Sequence, residues 1–340
     1  MKKHPTVAEL ADWAGAPLSM AKRVQQHAVT TIWMDSRKIA PGDVFLALST
    51  ANNDGHDFVE SALESGAAAA IVSRKKAERF SSRIQKKLIL TSDPLKAVSR
   101  MAQRYRKQLG IPVIAVTGSN GKTTTRQFIA TVLKQGLSVG ETFSNWNNEI
   151  GVPLSILRFS RDDEIAVVEL AANHVGEIHG LSRITRPDVA IITNIGYAHI
   201  GMFKTLKNTT NTKFEITAGL PKRGGVLLLN GDDPRLVRSA EDYGYKTMFF
   251  GYSRRCAIRV SEELVAENGE MSFTVDNYRY RLRMPGRHFI YSALPAIHTG
   301  REHGISEQKI ADALYGLEPD PLRGRIRHKS GIVFVVDCYN

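Results

Sequence analysis

A glycine-rich octapeptide is the strongest chemical signal in this sequence of 340 residues. It lies between an apolar run, Ile111–Val116, and a helical run, Thr124–Lys134. Its residues are Thr117, Gly118, Ser119, Asn120, Gly121, Lys122, Thr123 and Thr124. Glycines let the backbone N–H groups of such a loop curl around phosphate oxygens, and the start of the helix adds partial positive charge. The octapeptide therefore predicts a nucleotide-phosphate loop.

Two residues of this loop carry the expected chemistry. In a phosphate loop the lysine, here Lys122, bridges the β- and γ-phosphates of ATP, and the next hydroxyl, here Thr123, holds Mg²⁺. The general motif has another glycine five residues before Gly121, where this chain has Val116. The G-x-x-G-K-T core is complete, so ATP and Mg²⁺ are the expected cofactors.

Two further polar residues follow apolar runs of the strand type. Glu169 belongs to the run Ile165–Leu170, and His199 comes shortly after the run Val189–Thr193. Ligands of open α/β sheets lie at the carboxyl ends of the strands. A carboxylate there suits Mg²⁺, which prefers oxygen ligands. We therefore predict that Glu169 binds magnesium and that His199 lies at the same edge.

The elements that must position these residues alternate between strands and helices from residue 108 to residue 318. Helical stretches separate most of the apolar runs, which include Val226–Asn230, and this alternation predicts a doubly wound α/β sheet. Apolar and polar residues alternate on both sides of Asp276-Asn277, which predicts an antiparallel hairpin with its turn at that pair. Ile305–Leu317 is predicted to be a helix.

A smaller α/β unit, residues 1–107, precedes the central sheet. It carries the short apolar strands Val44–Leu48 and Ala69–Val72 and the helical stretches Phe58–Ser65 and Pro94–Gln108. The predicted chain therefore has a small first domain and a central phosphate-loop domain.

Residues 319–340 follow the central domain. Pro319, Pro321 and Gly324 indicate a linker, and Ile332–Val336 predicts a strand. Because the sequence stops at Asn340 directly after that strand, we expect 319–340 to be the linker and first strand of a truncated third domain.

Composition and charge exclude several classes of protein. The net charge is +12, but the basic residues are scattered and form no stripe interleaved with aromatic residues. We therefore predict that the charge attracts small anions such as nucleotides and that no nucleic acid is bound. No run approaches the roughly 20 apolar residues of a membrane span, and no signal peptide is visible, so the cytosol is expected. Two cysteines, Cys256 and Cys338, imply no disulfide framework.

Several blocks, taken in order, resemble the Mur ligases, and most closely the D-alanyl-D-alanine-adding MurF family. After the octapeptide TGSNGKTT come NWNNEIGVPL at 145–154, ELAANHVGEI at 169–178, NIGYAH at 194–199 and TKFEI at 212–216. Before it, DSRK at 35–38 and DGHDF at 54–58 are similar to the family's UDP-sugar-binding domain. The resemblance extends from about residue 30 to the end of the chain.

The resemblance implies an ATP- and Mg²⁺-dependent ligase of peptidoglycan precursor synthesis. Its substrates would be UDP-N-acetylmuramoyl-tripeptide and D-alanyl-D-alanine, joined through an acyl phosphate. The first domain would bind the UDP-sugar, with Ser36 and Arg37 at the UDP portion. Asn147, Asn148 and Glu149 would shape the substrate and γ-phosphate region.

The resemblance also implies the catalytic set. Lys122, Glu169, His199 and Lys213 would be catalytic, with His199 as a ligand of a second Mg²⁺. Lys213 matches a lysine that is carbamylated in related Mur ligases, which would make it a further metal ligand; an unmodified lysine paired with phosphate is the alternative. Arg325 matches a linker arginine that reaches the nucleotide.

The sequence departs from the family at its adenosine-contact motif. Phe289 and Ser292 replace two asparagines that help to hold adenosine. We expect Phe289 to offer a stacking surface to adenine and nucleotide affinity to differ from that of the family.

Other functions stay open at this point. A sibling Mur ligase or a folylpolyglutamate synthase shares the phosphate loop. A non-catalytic nucleotide- or UDP-sugar-binding protein would explain the short chain and the two replacements. A nucleic-acid-binding ATPase is suggested only by the charge.

Overall fold

The structure, a computed structural model, describes residues 4–17, 20, 22–197, 200–266, 269–318, 325–329 and 332–336. The chain forms two compact units. The first unit comprises residues 1–111 and 140–163, and the second unit comprises residues 112–139 and 164–340. The segment 140–163 thus leaves the stretch of sequence that forms the second unit and packs with the first. The assignment of residues 1–107, 108–318 and 319–340 to three functional domains stays a prediction.

The bounds of the elements follow in chain order. The α-helices are α1 (Val7–Ala14), α2 (Lys22–Gln25), α3 (Val59–Glu64), α4 (Ser82–Gln85), α5 (Pro94–Leu109), α6 (Lys122–Leu133), α7 (Gly151–Leu157), α8 (Glu177–Thr185), α9 (Ile200–Phe203), α10 (Leu206–Phe214), α11 (Pro234–Ala240), α12 (Arg287–Glu302) and α13 (Glu307–Gly316). Short 3₁₀ helices cover Ser36–Lys38, Gly55–Phe58, Arg74–Arg79, Glu215–Gly219 and Glu241–Tyr243.

The strands are β1 (Ile32–Trp33), β2 (Val44–Leu46), β3 (Ala69–Ser73), β4 (Leu88–Thr91), β5 (Val113–Thr117), β6 (Val139–Glu141), β7 (Ile165–Glu169), β8 (Val189–Ile192), β9 (Val226–Asn230), β10 (Lys246–Gly251), β11 (Ile258–Val265), β12 (Met271–Val275), β13 (Tyr278–Leu282), β14 (Arg325–Lys329) and β15 (Ile332–Val336). The predicted strands and helices of both units are confirmed, with ends that differ by at most two residues.

A parallel sheet forms the centre of the first unit. Its strands lie in the order β1-β2-β3-β4. Because β2 and β3 are buried along almost their whole length, their residues are apolar, except for Ser73 at the end of β3, instead of alternating with polar residues. Phe45, Val59, Val72 and Leu88 meet in one core cluster under this sheet.

Helix α5 shows how local sequence sets an element of this unit. The side chain of Asp93 accepts a hydrogen bond from Lys96 N at 3.1 Å, and Pro94 occupies the first helical turn. Gly110 ends the helix with φ of +64°, in the left-handed region that glycine tolerates. Inside the unit, the Tyr105 hydroxyl donates to Phe159 O at 2.6 Å and ties α5 to the segment after α7.

The second unit is built on a sheet in which eight strands lie in the order β13-β12-β11-β10-β9-β8-β5-β7. The pairings from β7 to β11 are parallel, and the pairings among β11, β12 and β13 are antiparallel. Helices α6 and α12 pack against each other and share a core cluster with the sheet. The predicted doubly wound α/β class is confirmed.

Strand β5 lies at the place where the strand order reverses. The next strand in the chain that pairs with it, β7, lies on one side, and β8 lies on the other. Ligands of open α/β sheets bind at such a switch point, outside the carboxyl ends of the strands. The topology therefore places the octapeptide after Thr117 where a ligand is expected.

The predicted hairpin is confirmed, and its turn has the expected chemistry. Val275 pairs with Tyr278, and Asp276 and Asn277 have φ of +48° and +65°. Two central residues with positive φ form the turn that matches the twist of a two-residue hairpin, and Asp and Asn tolerate this conformation well. Among the described residues, no helix has the length and apolar character of a membrane span.

We predict that Tyr105→Phe destabilises the first unit by about 1–3 kcal/mol, because it leaves the buried carbonyl of Phe159 without its donor. Urea unfolding followed by tryptophan fluorescence measures this loss, since all three tryptophans (Trp13, Trp33 and Trp146) belong to the first unit. Ser61→Ala is the control, because its hydroxyl donates to Phe58 O at an exposed position. Equal stability of the two variants would contradict the prediction.

Candidate functional site

The octapeptide forms a tight loop between β5 and α6. Gly118 has φ of +149°, and a Cβ added there would lie 1.9 Å from the Thr193 hydroxyl oxygen. Gly121 has φ of +75° and occupies the N-cap of α6. A Cβ at Gly121 would meet only Ser292 Oγ, at 3.7 Å. The loop is therefore closed against β8 at Gly118 and open to a ligand at Gly121.

The residues after β8 hold the loop in this shape. Ser119 N donates to Asn194 O at 2.9 Å, and Asn120 N donates to Asn194 Oδ1 at 3.0 Å. In return, the Thr193 hydroxyl and Asn194 Nδ2 both donate to Asn120 O, at 2.6 Å and 3.1 Å. Gly196 N donates to Ser119 Oγ at 2.8 Å. The block that begins with Asn194 thus braces the phosphate loop.

Lys122 and Thr123 lie at the start of α6, as the sequence predicts. Lys122 Nζ donates to the carbonyls of Gly118 and Ser119 at 3.1 Å and 3.2 Å, so the ammonium group folds over the loop. Thr123 is half-buried in the first turn. The first N–H groups of a helix have no partner within the helix and carry partial positive charge. This end of α6 is suited to an anion.

Glu169 is buried at the end of β7, next to the phosphate loop. Its side chain is 1% exposed, and its backbone is the register partner of Val116 in β5. Arg126 Nε of α6 lies 3.8 Å from Glu169 Oε2. The Thr117 hydroxyl donates to Leu170 O at 2.7 Å and fixes the two strand ends to each other. The predicted carboxylate therefore lies at the same sheet edge as the loop.

Lys213, near the end of α10, is a buried amine close to this edge. It is 2% exposed, and its Nζ lies 5.5 Å from the centre of the Phe203 ring. Burial, helped by the charge of Lys122, lowers the pKa of Lys213 to about 7, although the carboxylates of Glu215 and Glu177 act in the opposite direction. The structure thus brings Lys213 and Lys122 into electrostatic contact, with the Lys213 amine partly neutral near pH 7.

Glu215 and Glu177 shape the loop before α8. Glu215 accepts hydrogen bonds from Gly176 N at 2.7 Å and His179 N at 3.1 Å, at the start of that helix. Glu177 accepts from Asn173 N at 2.8 Å, and His174 Nδ1 lies 2.8 Å from its other oxygen. His174 is 62% exposed. It braces its own loop and has no contact that indicates catalysis.

A cavity of about 660 Å³ opens beside the phosphate loop. It is lined by Asn120, Gly121, Thr124, Thr125, Thr193, Asn194, Asn230, Asp232, Asp233, Pro234, Arg235, His288, Phe289, Tyr291 and Ser292. This volume lies within the range of about 300–1,000 Å³ that small-molecule sites occupy. The cavity is the candidate nucleotide site of the second unit.

The segment from Asn230 to Arg235 was missed by the sequence reasoning. Asp233 caps α11 and accepts from Ile195 N at 2.8 Å, so it also holds the segment that braces the phosphate loop. Asp232 accepts from the Tyr291 hydroxyl at 2.8 Å and from Tyr252 N at 2.7 Å. The available signal was an Asp-Asp-Pro sequence directly after the apolar run of β9, at the ligand-binding edge.

Phe289 and Ser292 occupy different surroundings. Phe289 is 3% exposed and packs nearly parallel to Phe128, with ring centres 6.5 Å apart. Phe289 also belongs to the cavity wall, and the predicted stacking on adenine stays a prediction. Ser292 Oγ accepts from the Thr125 hydroxyl at 3.2 Å and lies at the cavity wall.

The predicted substrate residues belong to the first unit. Arg37 is 87% exposed and forms two hydrogen bonds with Asp35, at 2.8 Å and 2.9 Å, next to the half-buried Ser36. Asn148 Oδ1 accepts from Ile150 N and Gly151 N, at 3.2 Å and 2.9 Å. The structure therefore gives Asn148 a local capping role at the start of α7, while Glu149 is exposed.

Two predicted residues have no described side chain. His199 lies outside the described residues. The backbone of Arg325 belongs to β14, but the position of its side chain is not among the described features. Their predicted roles stay predictions.

Residues 116–300 match the family described as "Mur ligase middle domain", and residues 28–116 match "Mur ligase family, catalytic domain". The chain is 35% identical to UDP-N-acetylmuramoyl-tripeptide--D-alanyl-D-alanine ligase of Bacillus subtilis, over 98% of this chain and 72% of that protein. It is 32% identical to the enzyme of the same name from Escherichia coli, over 94% of this chain and 69% of that protein.

Solved structures give the same result. MurF from Acinetobacter baumannii superposes with a TM-score of 0.85 at 27% identity, over 100% of this chain and 74% of that chain. MurF from Thermotoga maritima, solved in complex with ADP, superposes with a TM-score of 0.78 at 29% identity, over 94% of this chain and 73% of that chain.

We predict that Gly118→Ala weakens ADP binding at least about tenfold, because a Cβ there would overlap the Thr193 hydroxyl and deform the loop. Isothermal titration of ADP measures the loss. Gly180→Ala is the matched control, because a Cβ at Gly180 in α8 meets no atom within 4 Å. Unchanged affinity in a folded Gly118→Ala protein would show that this loop does not hold the nucleotide.

Proposed function

This chain belongs to the Mur ligase family, and we propose that it joins D-alanyl-D-alanine to UDP-N-acetylmuramoyl-tripeptide at the expense of ATP, in peptidoglycan precursor synthesis. The observation that carries the proposal is the phosphate loop at the switch point of the sheet, with the buried Glu169 and Lys213 close to it and a nucleotide-sized cavity beside it. Because the reaction consumes ATP, the cytosol is the compartment we propose for it.

The proposed reaction has two steps. A carboxylate oxygen of the tripeptide bonds to the γ-phosphorus of ATP while the bond to ADP breaks, which gives an acyl phosphate. The amine of D-alanyl-D-alanine then bonds to the acyl carbon, inorganic phosphate leaves, and the nitrogen gives up a proton. The first step brings two anions together, so the site must supply positive charge and positioning.

Lys122 and the start of α6 are proposed to supply that charge. The Lys122 ammonium group contacts the loop carbonyls, within reach of the helix N-terminus where phosphate oxygens bind. Binding of a nucleotide would replace these carbonyl contacts with charge-assisted contacts to phosphate. No side-chain nucleophile is required, because the tripeptide carboxylate is itself the nucleophile.

The residues at this edge fit Mg²⁺. Thr123 offers a hydroxyl and Glu169 a buried carboxylate, both of which are oxygen ligands of the kind that Mg²⁺ prefers. Among the described residues no group of three or more His, Cys, Asp or Glu side chains comes together, so phosphate oxygens and water would complete the coordination. When bound, Mg²⁺ would neutralise charge on the phosphates. Arg126, 3.8 Å from Glu169, is positioned to balance that carboxylate.

Lys213 is proposed to carry a carbamate. A neutral amine is the form that reacts with CO₂, and the lowered pKa of about 7 supplies it near neutral pH. The reaction joins the neutral Lys213 nitrogen to the carbon of CO₂ and releases one proton, which converts a buried neutral amine into an anion. The repulsion from Lys122 becomes an attraction, which favours the modified form over the unmodified lysine that the sequence left open.

The roles of the remaining predicted site residues are proposed from the resemblance to the Mur ligases together with the positions of these residues. Ser36 and Arg37 would bind the UDP portion. To do so, the exposed Arg37 guanidinium group would have to replace its hydrogen bonds to Asp35 with hydrogen bonds to a phosphate. Asn147, Asn148 and Glu149 would shape the substrate loop of the first unit. His199 would be a metal ligand, and Arg325 would reach the nucleotide.

Phosphate release tests the proposed function directly. With UDP-N-acetylmuramoyl-tripeptide, D-alanyl-D-alanine, ATP and Mg²⁺ all present, we expect turnover that depends on both substrates. Release without either substrate would indicate a simple ATPase. ADP binding without substrate-dependent turnover would favour the non-catalytic alternative.

We predict that Lys122→Ala lowers the rate of phosphate release by at least about 100-fold, because it removes the mobile cation of the phosphate loop. Lys134→Ala, at the exposed far end of the same helix, is the control and should retain the parent rate. A Lys122→Ala protein as active as the Lys134→Ala protein would refute the role of the loop.

We predict a ¹³C carbamate signal in the protein incubated with ¹³C-bicarbonate and its absence in Lys213→Ala. The sign of the pH effect follows from the pKa of about 7: below it the amine gains a proton, so the signal should fall as the pH is lowered from 8 towards 6. Lys207→Ala, an exposed lysine of the same helix, should keep the signal. A signal that survives in Lys213→Ala would assign the carbamate elsewhere.

A further inference from the structure

Three aromatic rings and one guanidinium group form a compact cluster within the first unit. Trp33 stands 5.6 Å from Phe143 and 5.4 Å from Trp146, and Phe143 stands 4.9 Å from Trp146, all between ring centres and in edge-to-face geometry. Arg158 Cζ lies 4.0 Å from the centre of Phe143, 5.4 Å from Trp33 and 5.9 Å from Trp146. We call these four residues the cation–aromatic cluster.

One buried nitrogen of Arg158, Nη1, faces the cluster without a polar partner among the described residues. Burial lowers the pKa of Arg158, and the charge of the buried Asp43 opposes that shift. The guanidinium charge is therefore partly desolvated, which is the condition under which attraction to aromatic faces is strongest.

The cluster fixes a loop whose backbone is strained. Ser144 has φ of +52°, an unfavourable conformation for a residue that is not glycine. Phe143 N donates to the buried Ser155 Oγ at 3.2 Å, and a Cβ at Gly151 would lie 2.5 Å from Trp146 Cα. Such a conformation persists only where its surroundings determine it, and the rings on either side of Ser144 supply those surroundings.

We propose that the cation–aromatic cluster positions the Asn147–Glu149 loop, together with the turn that carries Ser36 and Arg37, for the UDP-linked substrate. Trp146 directly precedes Asn147, and Trp33 lies two residues before Asp35, so one cluster sets the direction of both segments. Arg158 is a positioning residue in this proposal. The inference rests on the proposed function for the identity of the substrate.

Two variants separate the charge of Arg158 from its bulk. Arg158→Met keeps a long flexible side chain in contact with the rings but removes the cation. Arg158→Lys keeps the cation and loses the planar guanidinium group. If the charge orders the loop, the lysine variant retains more function than the methionine variant; if only packing matters, the methionine variant is the better of the two. Arg161→Met is the matched control, since Arg161 pairs with Glu9 instead of with the cluster.

Isothermal titration of UDP-N-acetylmuramoyl-tripeptide and, separately, of ADP tests the proposal on each purified variant. We expect Arg158→Met to weaken binding of the UDP-linked substrate about tenfold and Arg158→Lys to weaken it about threefold. Arg161→Met should bind as the parent does. ADP affinity should be the same in all four proteins, because a general loss of folding would lower both affinities.

Acrylamide quenching of tryptophan fluorescence tests the loop without ligand. We expect greater quenching in Arg158→Met than in the parent, because the loop that carries Trp146 is less ordered without the cation. Parent-like substrate affinity in Arg158→Met, or equal loss in Arg158→Met and Arg161→Met, overturns the positioning role. A parent protein that binds ADP but no UDP-linked substrate refutes the proposed function; parent-like quenching in Arg158→Met would then overturn the ordering role as well.

Discussion

The burial of Lys213, reinforced by repulsion from Lys122, is the constraint on which the character of the candidate site depends. A lysine that is 2% exposed loses most of its hydration, and a second cation nearby makes its protonated form still less favourable. The fold tolerates this because the pKa of Lys213 falls to about 7, so that the group is partly neutral. Anything that adds negative charge between the two amines relieves the repulsion. Phosphate oxygens and a carbamate both meet this requirement.

The sheet topology explains why these groups meet. Parallel strands end at one edge, and β5, β7 and β8 are neighbours there although they are distant in sequence. Strand β5 ends at Thr117, β7 ends at Glu169, and Asn194 comes shortly after β8. These residues therefore lie close together in space although they are far apart in the sequence. The hydrogen bonds from the Asn194 segment to the loop then fix a shape that the loop alone could not hold, because Gly118 and Gly121 both have positive φ.

The sequence allowed prediction of those features whose cause is local. The glycine-rich turn between β5 and α6, the hairpin turn at Asp276-Asn277 and the helix α5 are each set by neighbouring residues, and these three structural predictions are confirmed. The roles of Asp232 and Asp233 were not predicted, because their partners, Tyr291 and Ile195, are fixed only by tertiary packing. The packing of Phe289 on Phe128 was not predicted for the same reason, because their contact is set only by the tertiary structure.

The segment 140–163 shows a different limit of sequence reasoning. By position it should belong to the central sheet, yet Phe143 and Trp146 lie against Trp33 of the first unit. No hydrophobic periodicity in the sequence predicts that residues 140–163 pack with the first unit, since the aromatic residues are too few to form a pattern. The physical causes are the burial of helix α7 against α5 and the packing of three half-buried rings around one guanidinium group, an arrangement that residues 143–158 cannot build without Trp33. Helix α7 and Phe159 also tie this segment to α5, so the contribution of Arg158 is confined to the loop around Ser144, where its contacts with Phe143 and Trp146 lie.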